Sequence, residues 1–542
     1  MFAVKDVAAG GRFLWSLPGF LRRPLSVEEA RATLRRRLER READFLDLAR
    51  RAVYACPWSP YRQLLALAGC EYGDLKSAVE REGLEGALRI LFRQGVYLSV
   101  DEYKGKRPVV RGSAQLTVAP DGLRNPCSAP HLATQTSGSR GAPTSVLTDL
   151  AFIRDCAVDT CLDLDAKGGG GWLKAVWETP GAGVFRVLKY SAFGAPVARW
   201  YSQVEPAASG LHPSYRWRVR VLSWGGLLSR VRLPRPEHVP LDDPLPIVHW
   251  MAGELRTGRT PHLRTFPSSA VRVCLAALDA GVDLQGALFM MSGEPITAAR
   301  LAAVRSVGAD AWPRYGSMDT GPIGYGCLAP DAPDDVHLLQ DLHAVVQPEP
   351  DGIASAMPRL SLLISGLRAT APLILLNVSL GDQAEASSRA CGCPLERLGW
   401  ATHLHNIRSY EKLTAGGMTF LDTDVIQVLE DILPARFGGG PTDYQLLEEE
   451  DHDGKPRLRL LVNPTIGALD GRAVAEAFLD AIGPGSGSGR MMALQWRQAG
   501  LLRVERRAPQ ATTSGKVLHL HQPRREQAVG LRSPPEAHPN PF

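Results

Sequence analysis

No apolar run in this chain reaches the roughly 18 residues that a membrane-crossing helix needs, so no transmembrane span is expected. A large excess of one charge is also missing: 62 Lys and Arg stand against 57 Asp and Glu, a formal net charge of +5. That excess is scattered, and no basic patch carries interleaved aromatics, so nucleic acid is not an expected partner. No internal repeat is present. The opening stretch holds a short apolar segment around residues 13–20, broken by Pro18 and followed by Arg22 and Arg23. A secretion signal places its charge ahead of a longer apolar run. The segment therefore reads as packed on the first domain, with weak surface association as the lesser alternative. The nine cysteines are spread along the chain, which fits cytosolic thiols and a cytoplasmic location.

What is present is enough for several cores. At about 150 residues per domain, 542 residues suggest three or four. Ser26 and Glu29 form a capping box, and Leu34, Leu38, Phe45 and Leu48 give the following helix an apolar stripe. From about residue 107 short apolar runs alternate with Gly/Ser/Thr loops and amphipathic stretches, an α/β pattern. Helices are expected over 146–164, 269–280, 298–307, 423–432 and 472–481. Strands are expected at VLKYSAF (187–193), VRVLSW (219–224), ALFMMS (287–292), LSLLIS (360–365) and LILLNV (373–378), and at YQLLEE and RLRLLV further on. The resulting division is a helical region over 1–106, a large α/β core of several subdomains over 107–407, a small α/β domain over 408–525 and a disordered tail over 526–542.

The loop TQTSGSRGAPTSV (134–146) carries the most readable chemistry. Thr136, Ser137, Ser139 and Thr144 supply hydroxyl donors, and Gly138 and Gly141 let the backbone approach a polyanion. A helix expected directly after it would favour phosphate at its N-terminus. No Gly-Lys-Ser/Thr ends the loop, so it is not a Walker A motif. By itself an ordinary Ser/Gly loop is an equal reading. RYGSMDTG (314–321) is a strand-end turn with an aromatic and an acid. SGEP (292–295) follows an apolar strand, and NVSLGDQ (377–383) holds a Gly-Asp turn. IRSYEKLTAGGMTF (407–420) lies at the small-domain boundary, and PQATTSGKV (509–517) puts Lys516 in a Gly turn. Any one of these is more often structural than functional.

In this order the motifs resemble those of the adenylate-forming enzymes, the phenylacetate–CoA ligase branch in particular, over residues ~107–520. The resemblance implies an ATP-dependent carboxylate ligase that makes an acyl-adenylate and hands the acyl group to coenzyme A. A carrier-protein thiol, as in the acyl-protein synthetases of bacterial luciferase systems, or an amine are alternative acceptors. It implies that the 136–144 loop holds phosphate, with Arg140 where the family has Thr and Thr144 where Lys is usual. Tyr315 and Gly316 would hold adenine. Asp319 would help hold Mg²⁺ in place of a Glu, a shorter but still hard oxygen ligand. Asp382 would accept from the ribose, Arg408 would touch ribose or phosphate, and Gly417 would serve a hinge whose usual Asp has only Tyr410 or Glu411 nearby. Lys516 would bind the carboxylate and α-phosphate.

Cys391 and Cys393 form a CxC turn, and Cys327 with His337 completes a zinc-ligand set if the fold unites them; four unrelated residues is an equal reading, and His343 competes. Some relatives in the resembled branch have a similar arrangement. His249, Trp250, Phe289 and Met291 are equally candidates for an acyl pocket and for core. The altered motif residues keep a second function class open, a relative that binds nucleotide or acyl ligand without turnover. The acid itself and the oligomeric state are not encoded in any readable motif.

Overall fold

The structure is a computed structural model that describes residues 4–128, 132–135, 145–178, 180–205, 213–348, 357–410, 414–415, 418–419, 424–450, 456–482, 496–497, 502–512 and 515–521. Twelve strands form one sheet: β1 (Leu173–Glu178), β2 (Arg199–Ser202), β3 (Pro236–His238), β4 (Pro261–Thr265), β5 (Leu288–Ser292), β6 (Asp310–Ser317), β7 (Gly321–Gly326), β8 (Val336–Leu338), β9 (His343–Val346), β10 (Ser361–Gly366), β11 (Val378–Ser388) and β12 (Thr402–Ser409). Their order across the sheet is β9-β10-β11-β12-β8-β7-β6-β5-β4-β1-β2-β3. From β3 to β6 the neighbours are parallel; from β6 to β9 they are antiparallel. Helices separate the parallel strands, as a parallel sheet with both faces covered requires.

The helices that position the site are α1 (Val4–Leu21), α2 (Val27–Glu39), α3 (Leu150–Ala166), α4 (Pro180–Ser191), α5 (Pro213–Ser229), α6 (Pro267–Asp279) and α7 (Ala298–Arg305). The capping box at Ser26 and Glu29 is present at the start of α2. One core lies between α1, α3, α4 and α5 on one face of the parallel strands. A second lies on the other face and contains Phe289 and Met291, which are core; Trp250 packs on its margin and His249 is exposed. The early helices share a third core with β9, β10 and β11 through Ala344, Leu363 and Val378.

Three strand expectations fail. VLKYSAF lies mostly in α4 and VRVLSW lies in α5. LILLNV is not a strand: Leu373 makes an isolated bridge to Arg124, and Asn377 turns with φ +50 before β11 begins at Val378. The helix expected from residue 146 begins instead at Leu150, because residues 145–148 are a strand paired with Leu132–Gln135.

Beyond β12 the chain builds a separate core from Val425 to Leu520. Its sheet has the order β15-β14-β13-β16, from β13 (Tyr444–Glu450), β14 (Pro456–Val462), β15 (Leu502–Arg506) and β16 (Leu520–His521), backed by α8 (Gly471–Ile482). The structure is α/β throughout: a large domain and a small one.

Candidate active site

The parallel block runs β3-β2-β1-β4-β5-β6, so the winding direction reverses between β1 and β4. In open α/β sheets the crevice at the carboxyl ends beside such a reversal is where ligands bind. Here the small domain reaches into that region. Gly515 has φ +79, and a Cβ there would stand 1.9 Å from Gln203 Oε1, just past β2; only glycine passes. Lys516 follows. Its Nζ stands 5.4 Å from the centre of the Phe266 ring, just past β4. Its Cε and Nζ both lie 3.1 Å from the position a Cβ on Gly293 would take, just past β5. Val517 N donates to Glu294 Oε1 at 2.9 Å. The Gly-Lys turn therefore crosses the carboxyl ends of three strands of the large domain.

Glu294, from the SGEP segment, is a tie between domains. It also accepts from Ser268 N at 2.9 Å, Ser268 Oγ at 2.8 Å and Arg300 NH1 at 2.8 Å. Arg300 Nε reaches Glu430 of the small domain at 2.7 Å, with both side chains 1% exposed. Glu430 also meets Thr297 Oγ1 and His519 Nε2. Burial would raise the Glu430 carboxyl, but the charges of Arg300 and His519 bring it below its ordinary value.

Tyr315 and Asp382, far apart in sequence, meet directly: the Tyr315 hydroxyl donates to Asp382 Oδ2 at 3.0 Å. Burial, then the Asp382 charge, pushes the phenol well above its usual value, so it stays a donor. Gly316 permits the close return of the chain, since a Cβ there would stand 2.4 Å from Gly321 O. Asp319 sits in the same turn, its N donating to Ser317 Oγ at 3.1 Å. Burial pushes its carboxyl up to about 6, opposed by a hydrogen bond from Tyr103. Asp319 Oδ1 is buried and has no partner among the described residues. Arg408 turns to Asp334, NH1 to Oδ2 at 2.8 Å, and Asp334 also accepts the N–H groups of Asn406 and Ile407.

Thr136, Ser137, Gly138, Ser139, Arg140, Gly141 and Thr144 lie outside the described residues, as do Glu411 and Gly417. The strands flanking the loop are described: the Gln135–Ser145 pair closes a hairpin, and Leu132–Gln135 packs near α1 and α4. The expectation that a helix start faces this loop is corrected. A strand intervenes, and the N-terminus of α3 is already capped by Asp149, which accepts from Phe152 N at 2.7 Å.

Below the carboxyl ends lies a buried charge cluster that sequence reading missed. Glu178, the last residue of β1, accepts from Arg264 Nε at 2.9 Å and Arg186 Nε at 3.2 Å. Burial and the neighbouring Arg264, Arg314 and Arg186 push the Lys189 amine well below its usual value, and its Nζ has no partner among the described residues. An Arg or Lys inside an apolar run carries no motif that could have flagged it. Tyr103 and Glu430 were missed for the same reason: each acts through a partner far away in sequence.

The structure brings Cys327, His337, Cys391 and Cys393 together, with one ligand atom of each within 4.8 Å of the others. His337 Nδ1 lies 2.6 Å from Trp400 O, which can only accept, so Nδ1 carries the hydrogen and Nε2 presents its lone pair. Nε2 faces Cys393 Sγ at 3.1 Å and Cys391 Sγ at 3.7 Å. Burial holds the ring down to about 4, leaving it neutral. Burial would raise the Cys393 thiol, yet the N–H groups of Glu396 and Leu328 bring it below its usual value. His343 does not compete, because it is not among the residues whose ligand atoms meet here; its Nε2 instead contacts Pro322 O at 2.8 Å. A second grouping, Cys327 with Asp335 and His403, shares one cysteine, but His403 Nδ1 is engaged with Asp335 at 2.8 Å.

No family model matches the chain, and no curated protein matches it. Solved structures resemble it at low identity. A 2-hydroxyisobutyryl-CoA ligase in the postadenylation state, in complex with R3-HIB-AMP, is 16% identical, with 93% of this chain and 91% of that chain covered at a TM-score of 0.49. The anthranilate CoA ligase AuaEII in complex with anthranoyl-AMP is 13% identical, covering 85% and 79% at 0.40. The amide bond synthetase McbA from Marinactinospora thermotolerans is 12% identical, covering 76% and 70% at 0.36.

Proposed function

We propose that this chain is an adenylate-forming ligase: it joins a carboxylic acid to ATP, releases pyrophosphate, and passes the acyl group to a thiol, coenzyme A first among the candidates. The observation that carries the reading is Lys516. A lysine from the small domain, held by Gly515 and the Val517–Glu294 bond, stands at the carboxyl ends of β4 and β5 beside the strand-order reversal. A solvated turn lysine has no reason to be held there. The joining of Tyr315 to Asp382 adds support, since two motif residues chosen for one nucleotide meet each other.

In the first step a carboxylate oxygen attacks the α-phosphorus. The bond to the bridging oxygen breaks, and pyrophosphate leaves with its electron pair. The Lys516 ammonium is a compact charge for the oxygens on which negative charge builds. Tyr315 offers a ring to adenine, and Asp382 a carboxylate to the ribose hydroxyls; their mutual bond orients both. Asp319 is the residue that would hold Mg²⁺, which supplies charge neutralisation for the phosphates; its buried, unpartnered Oδ1 fits that part. In the second step a thiolate sulfur attacks the acyl carbon and AMP leaves. A carrier-protein thiol in place of coenzyme A follows the same chemistry. The binding-only alternative draws on one observation, the bond from Tyr103 that already engages Asp319.

Zn²⁺ fits the Cys327–His337–Cys391–Cys393 set, with a structural role. Tetrahedral Zn–S and Zn–N bonds of about 2.3 and 2.0–2.1 Å place N and S ligands about 3.5 Å apart. The Nε2 to Sγ distances of 3.1 and 3.7 Å bracket that value. The Trp400 carbonyl behind His337 is the outer partner that a metal-bound imidazole needs.

ATP–pyrophosphate exchange across a panel of aromatic and aliphatic acids tests the function, with Lys516→Ala beside the wild type. At least one acid should support exchange, and the variant should lose about 10²–10³-fold, the usual cost of one preorganised donor. Transfer of the acyl group from a supplied acyl-adenylate should survive. Equal loss in both reactions, or in neither, overturns the role of Lys516.

A further inference from the structure

Helix α1, which packs near the Leu132–Gln135 hairpin strand, and its neighbour α5 expose an apolar surface that no fold requirement explains. α1 and α5 pack so closely that a Cβ on Gly225 would stand 2.2 Å from Leu17 Cδ2. Phe13 and Leu17 of α1, and Val221 and Leu222 of α5, are buried in the shared core. Trp15 is nevertheless 89% exposed, Trp224 64%, Leu227 80% and Leu228 60%. On α5 the three exposed residues stand at i, i+3 and i+4, one stripe on a helix. The stripe adjoins the end of α1, because Arg22 NH2 donates to Leu228 O at 2.7 Å.

The charge around this stripe has one sign. Residues 7–27 and 206–236 contain no Asp or Glu. Arg12, Arg22 and Arg23 on and after α1 are exposed, as are Arg220, Arg230, Arg232 and Arg235 on and after α5. The acids that bound these two segments are Asp6, Glu28, Glu205 and Glu237, and of these Glu205 and Glu237 are paired with His238 and Arg199. A helix pair that shows Trp and Leu inside an arginine rim has the composition of an element that lies in the interface of an anionic membrane. Indole rings favour the headgroup level, and arginines favour anionic headgroups. A second copy of this chain fits poorly, since it would bring one arginine rim against another.

We propose that the α1–α5 face binds the surface of anionic membranes through Trp15, Trp224, Leu227 and Leu228, with the flanking arginines drawing it there. On the ligase reading, this would present the phosphate-loop side of the large domain to the bilayer in which apolar acids dissolve. The surface itself does not depend on that reading.

The test is co-sedimentation of the full chain with vesicles of phosphatidylcholine alone, or of phosphatidylcholine with phosphatidylglycerol. Wild type should pellet with the mixed vesicles, weakly with the neutral ones, and less as salt rises. Arg232→Glu/Arg235→Glu should lower partitioning onto the mixed vesicles at least ~25-fold, from about fivefold per basic residue near the surface. Trp15→Ser/Trp224→Ser should lose about tenfold or more. All four residues are exposed, so the variants should keep their wild-type thermal unfolding. ATP–pyrophosphate exchange, measured on the same samples without vesicles, reports the ligase reading separately. Failure of wild type to pellet with mixed vesicles at low salt overturns the proposal, as does pelleting that neither variant reduces. A dimer in light scattering that Trp15→Ser/Trp224→Ser dissociates would assign the face to self-association instead, and a protein that only an acidic partner protein binds would assign it to that partner; either result overturns it.

Discussion

Replacing Arg300 by Met should undock the small domain and abolish adenylate formation while leaving acyl transfer. Arg300 is 1% exposed and bridges Glu294, 0% exposed, in the large domain to Glu430, 1% exposed, in the small one. Methionine fills much of the same volume but leaves two buried carboxylates facing each other without the cation. Breaking a buried pair in this way costs about 3–5 kcal/mol. Glu294 keeps its bonds from Ser268 and Val517, so most of the loss falls on Glu430 and His519, which can regain water only if the small domain moves away. At about 1.4 kcal/mol per power of ten, the docked population should fall by two to three and a half powers of ten. Lys516 is delivered by that docking, so pyrophosphate exchange should fall by the same factor. Product formation from a supplied acyl-adenylate should stay near wild type. Glu430→Gln should lose less, because Arg300 still has Glu294. Glu430 has a depressed pKa in the docked state, so its stabilisation is present above the ordinary carboxylate range and is lost as pH falls through the lowered value. Docking should therefore weaken in acid and not in mild base. An Arg300→Met protein that keeps exchange within about threefold of wild type would refute the reasoning, as would one that loses both half-reactions equally.

Other outcomes follow from the same geometry. Purified wild type should hold about one zinc by metal analysis, and Cys391→Ser/Cys393→Ser should hold almost none; less than a tenth of an equivalent in fresh wild type contradicts the site. Asp319→Ala should weaken magnesium-dependent exchange and Asp319→Glu should retain much of it; an Ala variant that matches wild type across a magnesium titration removes Asp319 from the site. Lys189→Met should raise thermal stability by about 1–3 kcal/mol, because it removes a buried amine that has no hydrogen-bond partner among the described residues. Destabilisation in an unfolding titration would mean that the amine has an anionic partner of its own.

The parts of the fold that were legible in the sequence are those set by local rules. The Ser26–Glu29 box and the strands around Phe289 and Leu363 needed only neighbours within a few residues. Two of the three strand failures, VLKYSAF and VRVLSW, share one cause. In α4, Phe185, Val187, Leu188 and Tyr190 are all buried, and in α5 so are Val221 and Leu222. α4 is enclosed on most sides and α5 has apolar Trp224, Leu227 and Leu228 on its exposed side, so neither shows the apolar–polar alternation of 3.6 residues that distinguishes a helix from a buried strand. LILLNV fails differently: Leu373 to Leu376 are buried against the early helices, and Asn377 spends its side chain on Leu88 O and Val96 O, so a run that looks like a strand is held as an irregular segment.

The site divides along the same line. Tyr315, Asp382 and Lys516 could be picked out because each sits in a short Gly-containing motif whose residue types imply a ligand contact. Even so, the structure had to supply the Tyr315–Asp382 bond and the position of Lys516. Glu294 was conspicuous in its motif, but its part is to bind the backbone of Val517 and the side chain of Arg300, which no local pattern encodes. Arg300, Glu430 and His519 had no signal at all. Each is an ordinary charged residue in its own segment, and only the docking of two cores makes them a buried network. Residues proposed to touch substrate fall in local motifs because glycines beside them let the backbone approach a ligand closely. Residues that hold one domain on another need only an exposed face and a complementary charge, so they leave no trace until both faces are known.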